Sequence, residues 1–389
     1  MRKIIHIDLD AFFCAVEELR SPSLAGLPFA VGGKPDERGV VSSCSYPARQ
    51  FGVHSAMPVS RALRLCPQLV MLPPNFSAYR DASHQVMEIL NDLTPLVEQI
   101  SIDEAFLDLS DLPESVERIA ARLQRKIQDN TRLPCSLGVA ANKLVAKIAT
   151  DFGKASHLGV GYPNAVTVVP PGEERGFLAP LPVKSMWGVG PKTAEKLAEL
   201  GVRTIGDLAA TSQAVLTHHF GKMGFDLLAH AQGRDDSPVT PMHIVKSVSQ
   251  EITFEKDSSV EDRLRQTLIL QSEQVGYRLR CEGMCGLTVR LKIRWPDFTT
   301  LTRQVSLAAP TDQDREIAAA ALALFESVWK PGQRVRLIGV GVSGLSACSY
   351  QLSLWDSPSE KDRRLVAALD QIRIRYGEKS IRRGFTVKK

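Results

Sequence analysis

The sequence contains no apolar run of about 18 residues or more, the length a membrane-crossing helix requires, so no membrane span is expected. Its start, Met1-Arg2-Lys3-Ile4-Ile5-His6-Ile7, begins like a secretory leader, but Asp8 and Asp10 interrupt the apolar stretch before it is long enough. A cytoplasmic location is expected. Cysteine is scarce: seven residues, an odd number, lie scattered through the chain, which argues against a disulfide framework and fits a reducing compartment. The closest pair, Cys281 and Cys285, has neither a nearby histidine nor a second pair to complete a tetrahedral zinc site, so both are expected to be ordinary core thiols. No repeat of fixed period is present.

What remains is the profile of a globular protein. With 44% hydrophobic and 23% charged residues, whole-chain disorder is excluded, and 389 residues are enough for two to four domains, each with its own core. The net charge of +5 is modest but unevenly spread, with 24 Lys and Arg against 26 Asp and Glu up to residue 241 and 24 against 17 beyond it. A basic C-terminal part suits a polyanionic partner, although a merely solvated basic face accounts for the charge equally well.

Residues 2–9 read as a short buried strand and residues 11–20 as a helix directly after it. Further strands are expected at Phe29–Val31, Val40–Ser42, Val97–Ile102, Ala105–Leu109 and Cys135–Ala140. Helices are expected at Ala78–Leu90, Ser115–Asn130 and Lys143–Asp151. Strands and helices in this order predict an α/β sheet with helices packed on it. Pro73-Pro74 and Pro170-Pro171, with Pro180 and Pro182, mark joints. Short helices with glycine turns follow to about Gly233. From near Lys246 a strand, helix, strand, strand, helix, strand order sets in, with helices at Val260–Arg280 and Gln313–Trp329 and strands at Leu287–Trp295, Thr300–Leu307 and Arg334–Val342. That order predicts a small sheet carrying two helices on one face. At the tail, Ser357, Pro358 and Glu360 form a capping-box signature, and Leu365, Leu369, Ile372 and Tyr376 follow at helical spacing.

Asp8 ends the first strand, and Asp103-Glu104 interrupt a second apolar pair. Side chains alternate along a strand, so two adjacent acids reach one site only where a tight turn lies beside them. A hairpin near Asp103, set against the end of the first strand, would gather an oxygen-rich cluster of the kind that binds magnesium and bridges it to phosphates. On spacing alone the plainer reading is favoured: strand-end acids and a solvated turn.

The neighbouring motifs change that balance. His6-Ile7-Asp8-Leu9-Asp10-Ala11-Phe12-Phe13, Ser45-Tyr46-Pro47-Ala48-Arg49, Ser101-Ile102-Asp103-Glu104-Ala105 and Asn142-Lys143-Leu144-Val145-Ala146-Lys147 with Asp151 resemble, in order, the Y-family DNA polymerases, most closely the bacterial DNA polymerase IV (DinB) type. The resemblance covers nearly the whole chain. It implies an α/β (α+β) right-hand fold: palm at residues 1–10 and 74–165, small fingers at 11–73, helix-hairpin-helix thumb at 166–240, little finger at 241–346, then a clamp-binding peptide and helix at 347–389. It implies that Asp8, Asp103 and Glu104, with the Leu9 carbonyl, bind two Mg2+ ions, and that Asp10 supports the strand end instead.

Phe13, on the first turn of its helix, offers a flat apolar face to an incoming sugar, and the resemblance makes it a steric gate against ribonucleotides, while Phe12 fits a core position. Tyr46 and Arg49 can offer a hydroxyl and a guanidinium fork to one triphosphate, and Ser43 a further hydroxyl. Lys154 stands in a position similar to the family's phosphate-binding lysine. Lys143 and Lys147 share a helix face and suit site support, DNA contact or plain solvation. Trp187-Gly188-Val189-Gly190-Pro191-Lys192 resembles a helix-hairpin-helix, whose glycines let backbone N–H groups approach a phosphate. Arg290, Lys292, Arg294 and Arg303 would lie on the duplex backbone. Gln351-Leu352-Ser353-Leu354-Trp355 resembles a sliding-clamp peptide, with Trp355 where phenylalanine is usual. The expected partners are primer-template DNA, deoxynucleoside triphosphates and the clamp, and the expected state is a monomer. The function so implied is error-prone, translesion DNA synthesis. A catalytically dead accessory protein is the alternative, disfavoured because all three carboxylates and Phe13 are present.

Overall fold

A computed structural model describes residues 2–348, 358–377 and 380–381 except 158, 160 and 243. The chain folds as two units, Met1–His243 and Ile244–Lys389. Among the described residues no helix is long and apolar enough to cross a membrane.

The first unit runs β1 (Ile4–Leu9), α1 (Phe12–Arg20), β2 (Phe29–Gly32), β3 (Val41–Cys44), α2 (Tyr46–Arg49), α3 (Val59–Leu65), β4 (Val70–Leu72), α4 (Phe76–Asn91), β5 (Val97–Gln99), β6 (Glu104–Asp108), α5 (Val116–Thr131), β7 (Cys135–Ala140), α6 (Lys143–Ala155) and β8 (Val166–Val168). Five short helices follow: α7 (Glu174–Leu178), α8 (Pro191–Glu199), α9 (Ile205–Ala210), α10 (Gln213–Phe220) and α11 (Met223–Ala231). The main sheet has the order β5-β6-β1-β7-β8, which puts β1 at its centre. A small sheet of order β3-β2-β4 lies apart from it, in the stretch between α1 and α4.

All six residues of β1 are buried, because helices cover both faces of the sheet. Ile5, Ile7 and Leu9 join the core made with α1, α4 and α5, whereas Ile4 joins the core built with α6. Alternation then puts His6 and Asp8 on the same side as Ile4, facing α6. His6 accordingly meets Thr150 of α6 through Nδ1, at 2.9 Å, and burial pushes its pKa well down. Gly138 on β7 allows the close approach of that helix: a Cβ there would lie 2.0 Å from the Ala146 carbonyl oxygen and 2.5 Å from the Thr150 nitrogen.

The helix expected to stop at Asp151 continues to Ala155, so Lys154 sits in its last turn and not after it. The added turn contains Gly153, which costs a helix only about 1 kcal/mol. The glycine serves packing, since a Cβ there would meet Thr167 Oγ1 at 2.4 Å. The strands β4 and β8, three residues each, leave no clear signal in the sequence.

The second unit contains β9 (Ser247–Ser258), α12 (Glu261–Cys281), β10 (Met284–Arg294), β11 (Thr300–Thr311), α13 (Asp314–Val328), β12 (Val335–Ala347) and α14 (Pro358–Tyr376). Its antiparallel sheet has the order β11-β10-β12-β9. Val289, Leu291 and Ile293 of β10 are buried in a core with residues of α12 and α13, matching the two-helix reading of the sequence. The tail helix α14 is held by buried charge: Arg280 of α12 donates to Asp370 at 2.6 Å and to Asp314 at 2.8 Å. The proposed capping residue Ser357 lies outside the described residues.

The cysteine expectation is corrected. Cys281 is an exposed free thiol, and Cys285 forms a disulfide with Cys348. The two are 63 residues apart, and antiparallel pairing of β10 with β12 joins Met284 to Ala347 and so brings the sulfurs together, a proximity no linear spacing displays. Closing a loop of 63 residues restricts the unfolded chain by up to about 4 kcal/mol. Reduction is therefore expected to lower the melting temperature of the second unit, measured by calorimetry with and without reductant; an unchanged melt after full reduction contradicts this.

Candidate active site

The pairing of β1 with β6 sets Asp8 opposite Glu104, and residues opposite one another in antiparallel strands share a face. Asp103 precedes Glu104 in the turn between β5 and β6, which is closed by the Ile100 N–H donating to the Glu104 carbonyl at 3.0 Å. The Leu9 N–H donates to the Asp103 carbonyl at 3.0 Å and ties this turn to the end of β1. The Ser101 hydroxyl donates to Asp103 Oδ1 at 2.5 Å and fixes the carboxylate. The hairpin anticipated at Asp103 is present, and Asp8 acts electrostatically on both Asp103 and Glu104.

Two lysines of α6 meet the cluster. Lys154 Nζ is 2.6 Å from Asp8 Oδ1 and 3.5 Å from Asp10 Oδ1, and Lys147 Nζ is 3.0 Å from Glu104 Oε1. Burial alone would lower the Lys154 pKa, but Asp8 and Asp10 outweigh it and the net effect is upward. Desolvation raises the Asp103 pKa. It also raises Glu104 to about 7, against the pull of Lys147 and with Asp8 adding repulsion. Such a set of partly desolvated carboxylates offers hard oxygen donors of the kind that a divalent cation neutralises, and in the structure the lysines of α6 supply that positive charge.

Asp10 has a different environment. It is fully buried, accepts from the Ser136 hydroxyl at 2.9 Å and 3.0 Å and from the Asn164 N–H at 3.1 Å, and burial pushes its pKa up. Neither Ser136 nor Asn164 is visible as a partner in sequence. Asp151, which the sequence offers as part of a motif but with no role, lies 4.0 Å from Lys147, with its pKa raised by desolvation.

A cavity of about 230 Å³ opens beside the acids, with Asp8, Leu9, Phe13, Ser43, Arg49 and Lys154 in its wall. Phe12 is also in the wall but is buried in the core, as expected. The Phe13 ring stacks on Tyr79 with centroids 4.2 Å apart and 12° between planes. The Arg49 guanidinium lies 4.4 Å from the centre of the Tyr46 ring. The Tyr46 hydroxyl is buried without a hydrogen-bond partner among the described residues, and burial pushes its pKa up to about 12. Lys143 points away from the acids to a buried ion pair with Glu98 at 2.7 Å, a supporting position.

Elsewhere in the first unit, Gly188 adopts φ +89° and Gly190 precedes α8, which starts at Pro191, and neither glycine has an atom within 4 Å of where a Cβ would be. Lys192 is exposed at the helix start. In the second unit, Arg290, Lys292 and Arg294 alternate with the buried Val289, Leu291 and Ile293 and so share the opposite face. Arg303 is paired with Leu291 and projects to the other side, correcting its grouping with the three. Gln351, Leu352, Leu354 and Trp355 lie outside the described residues.

Comparison with known proteins gives these features a family. The impB/mucB/samB family matches residues 7–151, its C-terminal domain residues 245–354 and its helix-hairpin-helix motif residues 171–202. The chain is 42% identical to DNA polymerase IV of Desulfatibacillum aliphaticivorans over 97% of this chain and 95% of that protein. It is 41% identical to DNA polymerase IV of Dehalococcoides mccartyi over 100% of this chain and 98% of that protein. Among solved structures, a Y-family DNA polymerase chimera, Dbh-Dpo4(243-245)-Dbh, superposes with a TM-score of 0.76 at 24% identity, covering 88% of this chain and 98% of the chimera, a likeness of fold. The chain belongs to the Y-family DNA polymerases, in the DNA polymerase IV group of the impB/mucB/samB family. It is accordingly a DNA-directed DNA polymerase of the translesion class.

Proposed function

We propose that the chain extends a primer 3′ end by two-metal nucleotidyl transfer during DNA damage tolerance, with Asp8, Asp103, Glu104 and the Leu9 carbonyl holding two magnesium ions. The register that opposes Asp8 to Glu104, with Asp103 in the adjoining turn, is the observation that carries this reading. When bound, two such ions activate the primer hydroxyl and stabilise the leaving pyrophosphate.

The protein's own groups do the rest. Lys154 brings a fixed positive charge to the site and neutralises the charge that grows on the leaving group. Arg49 grips the triphosphate as a bidentate donor, and the Tyr46 hydroxyl, buried and unpartnered among the described residues, gains a phosphate acceptor. Ser43 adds a hydroxyl from β3. Phe13 closes the sugar pocket: a 2′-hydroxyl against its ring would lose hydrogen bonds worth roughly 1–3 kcal/mol.

The domains follow the same reading. Residues 1–10 and 74–165 act as palm, 11–73 as fingers, 166–240 as thumb and 241–346 as little finger. Residues 11–73 offer little material to close over the nascent base pair, which supports a pocket that admits damaged templates at the expense of accuracy. Gly188, Gly190 and Lys192 grip a DNA phosphate at the start of α8, and Arg290, Lys292 and Arg294 follow the duplex backbone without reading sequence. Residues 351–355 dock on the sliding clamp, and the chain works as a cytoplasmic monomer.

Three outcomes follow. With magnesium, primed template and deoxynucleotides the purified protein extends the primer, chelation stops it, and Asp103→Ala or Glu104→Ala lowers extension by about a thousandfold or more while DNA binding persists; normal extension by these variants overturns the assignment. Phe13→Ala raises ribonucleotide incorporation roughly tenfold or more, measured in single-nucleotide insertion. Deleting residues 351–355 removes stimulation by the clamp and spares basal synthesis, so a loss of basal synthesis contradicts the docking role.

A further inference from the structure

The wall behind Phe13 is built from two helices. Phe13 and Glu17 are four residues apart on α1 and therefore lie on one stripe of it. Tyr79 of α4 lies along that stripe. Its ring carries Phe13 at 4.2 Å, nearly parallel, and its hydroxyl donates to Glu17 Oε1 at 2.8 Å. Tyr79 has no exposed surface, and Glu17 is 6% exposed although it is a carboxylate. The second oxygen of Glu17 accepts from Arg20 at 2.7 Å. Phe76 closes the arrangement, edge-on to Phe13 at 89° and to Tyr79 at 80°.

Stacking and close packing hold the Tyr79 ring through non-directional contacts. The hydrogen bond at the far end of the ring adds a directional restraint to them. Both carboxylate oxygens of Glu17 are engaged, one by Tyr79 and one by Arg20, so the buried acid is compensated and held in a fixed place behind the aromatic wall. We propose that Glu17 is a positioning residue for sugar discrimination: it anchors Tyr79, and the anchored Tyr79 ring keeps Phe13 from yielding when a ribonucleotide presses its 2′-hydroxyl against the gate. The inference rests on the gate reading of Phe13 given above, and it assigns to Glu17 no contact with substrate.

The test compares insertion of a deoxynucleotide with that of its ribonucleotide by the full chain and reads the ratio of the two kcat/KM values. Glu17→Leu removes the acceptor and Tyr79→Phe removes only the donor hydroxyl, leaving the ring and the packing in place. Each is expected to lower the discrimination ratio about tenfold, the equivalent of one lost hydrogen bond. The double variant is expected to fall no further than either single one, because both remove the same bond. Glu17→Gln, which keeps an acceptor for the Tyr79 hydroxyl, is expected to restore most of the ratio. If Glu17→Leu does not fold, Tyr79→Phe carries the test by itself. Parallel loss of both activities with an unchanged ratio in Tyr79→Phe overturns the inference and leaves Glu17 a packing residue. Phe13→Ala separates the two readings: collapse of its ratio with an intact ratio in Tyr79→Phe sinks the anchor only, whereas an intact ratio in Phe13→Ala sinks the gate itself.

Discussion

The pairing of β1 with its two antiparallel neighbours is the constraint on which the site depends. A strand at the centre of a sheet cannot slip by one residue without turning every side chain to the opposite face. In β1 such a slip would bring Ile5, Ile7 and Leu9 under α6 and bury Asp8 among the apolar side chains of α1, α4 and α5. The apolar pattern of the strand therefore fixes the position of an acid at its end, and β6, held in register, supplies the second acid directly opposite. Chemistry here is a by-product of hydrophobic register.

The electrostatics are built on the same frame. Three carboxylates near one another repel, and α6 answers with Lys147 and Lys154, seven residues or two turns apart and so on one face of the helix. Asp10 shares Lys154 with Asp8 but also accepts from the Ser136 hydroxyl and the Asn164 N–H, so two aspartates two residues apart occupy different environments. Family membership gives the chain its class of activity, and the geometry supports a division of labour among its acids.

Much of this is readable in sequence, for identifiable reasons. The strand-to-helix junction at Asp8, the strand Cys135–Ala140 and the long helices of both units carry strong apolar periods, and their limits agree within two or three residues except at the C-terminal end of α6, which runs four residues further. The second unit's element order is readable because its strands are long and alternate. The missed contacts share one cause, partners chosen by pairing and not by spacing. Cys348 reaches Cys285 through the β10–β12 ladder, Ser136 reaches Asp10 from β7, and Tyr79 reaches Glu17 from another helix. Arg303 falls on a different face from the other three basic residues because its direction depends on register with β10.

Gly138 sets a scale for all of it. The backbone of α6 rests on that residue at a distance that leaves no room for a methyl group. Both lysines that face the carboxylates ride on that helix, and the strength of an ion pair changes with every fraction of an ångström between its members. A side chain at position 138 would act as a shim, lifting the cations off the acids with no change to either. The charge balance of the cluster is in that sense gauged by an uncharged residue, which contributes by having nothing to displace.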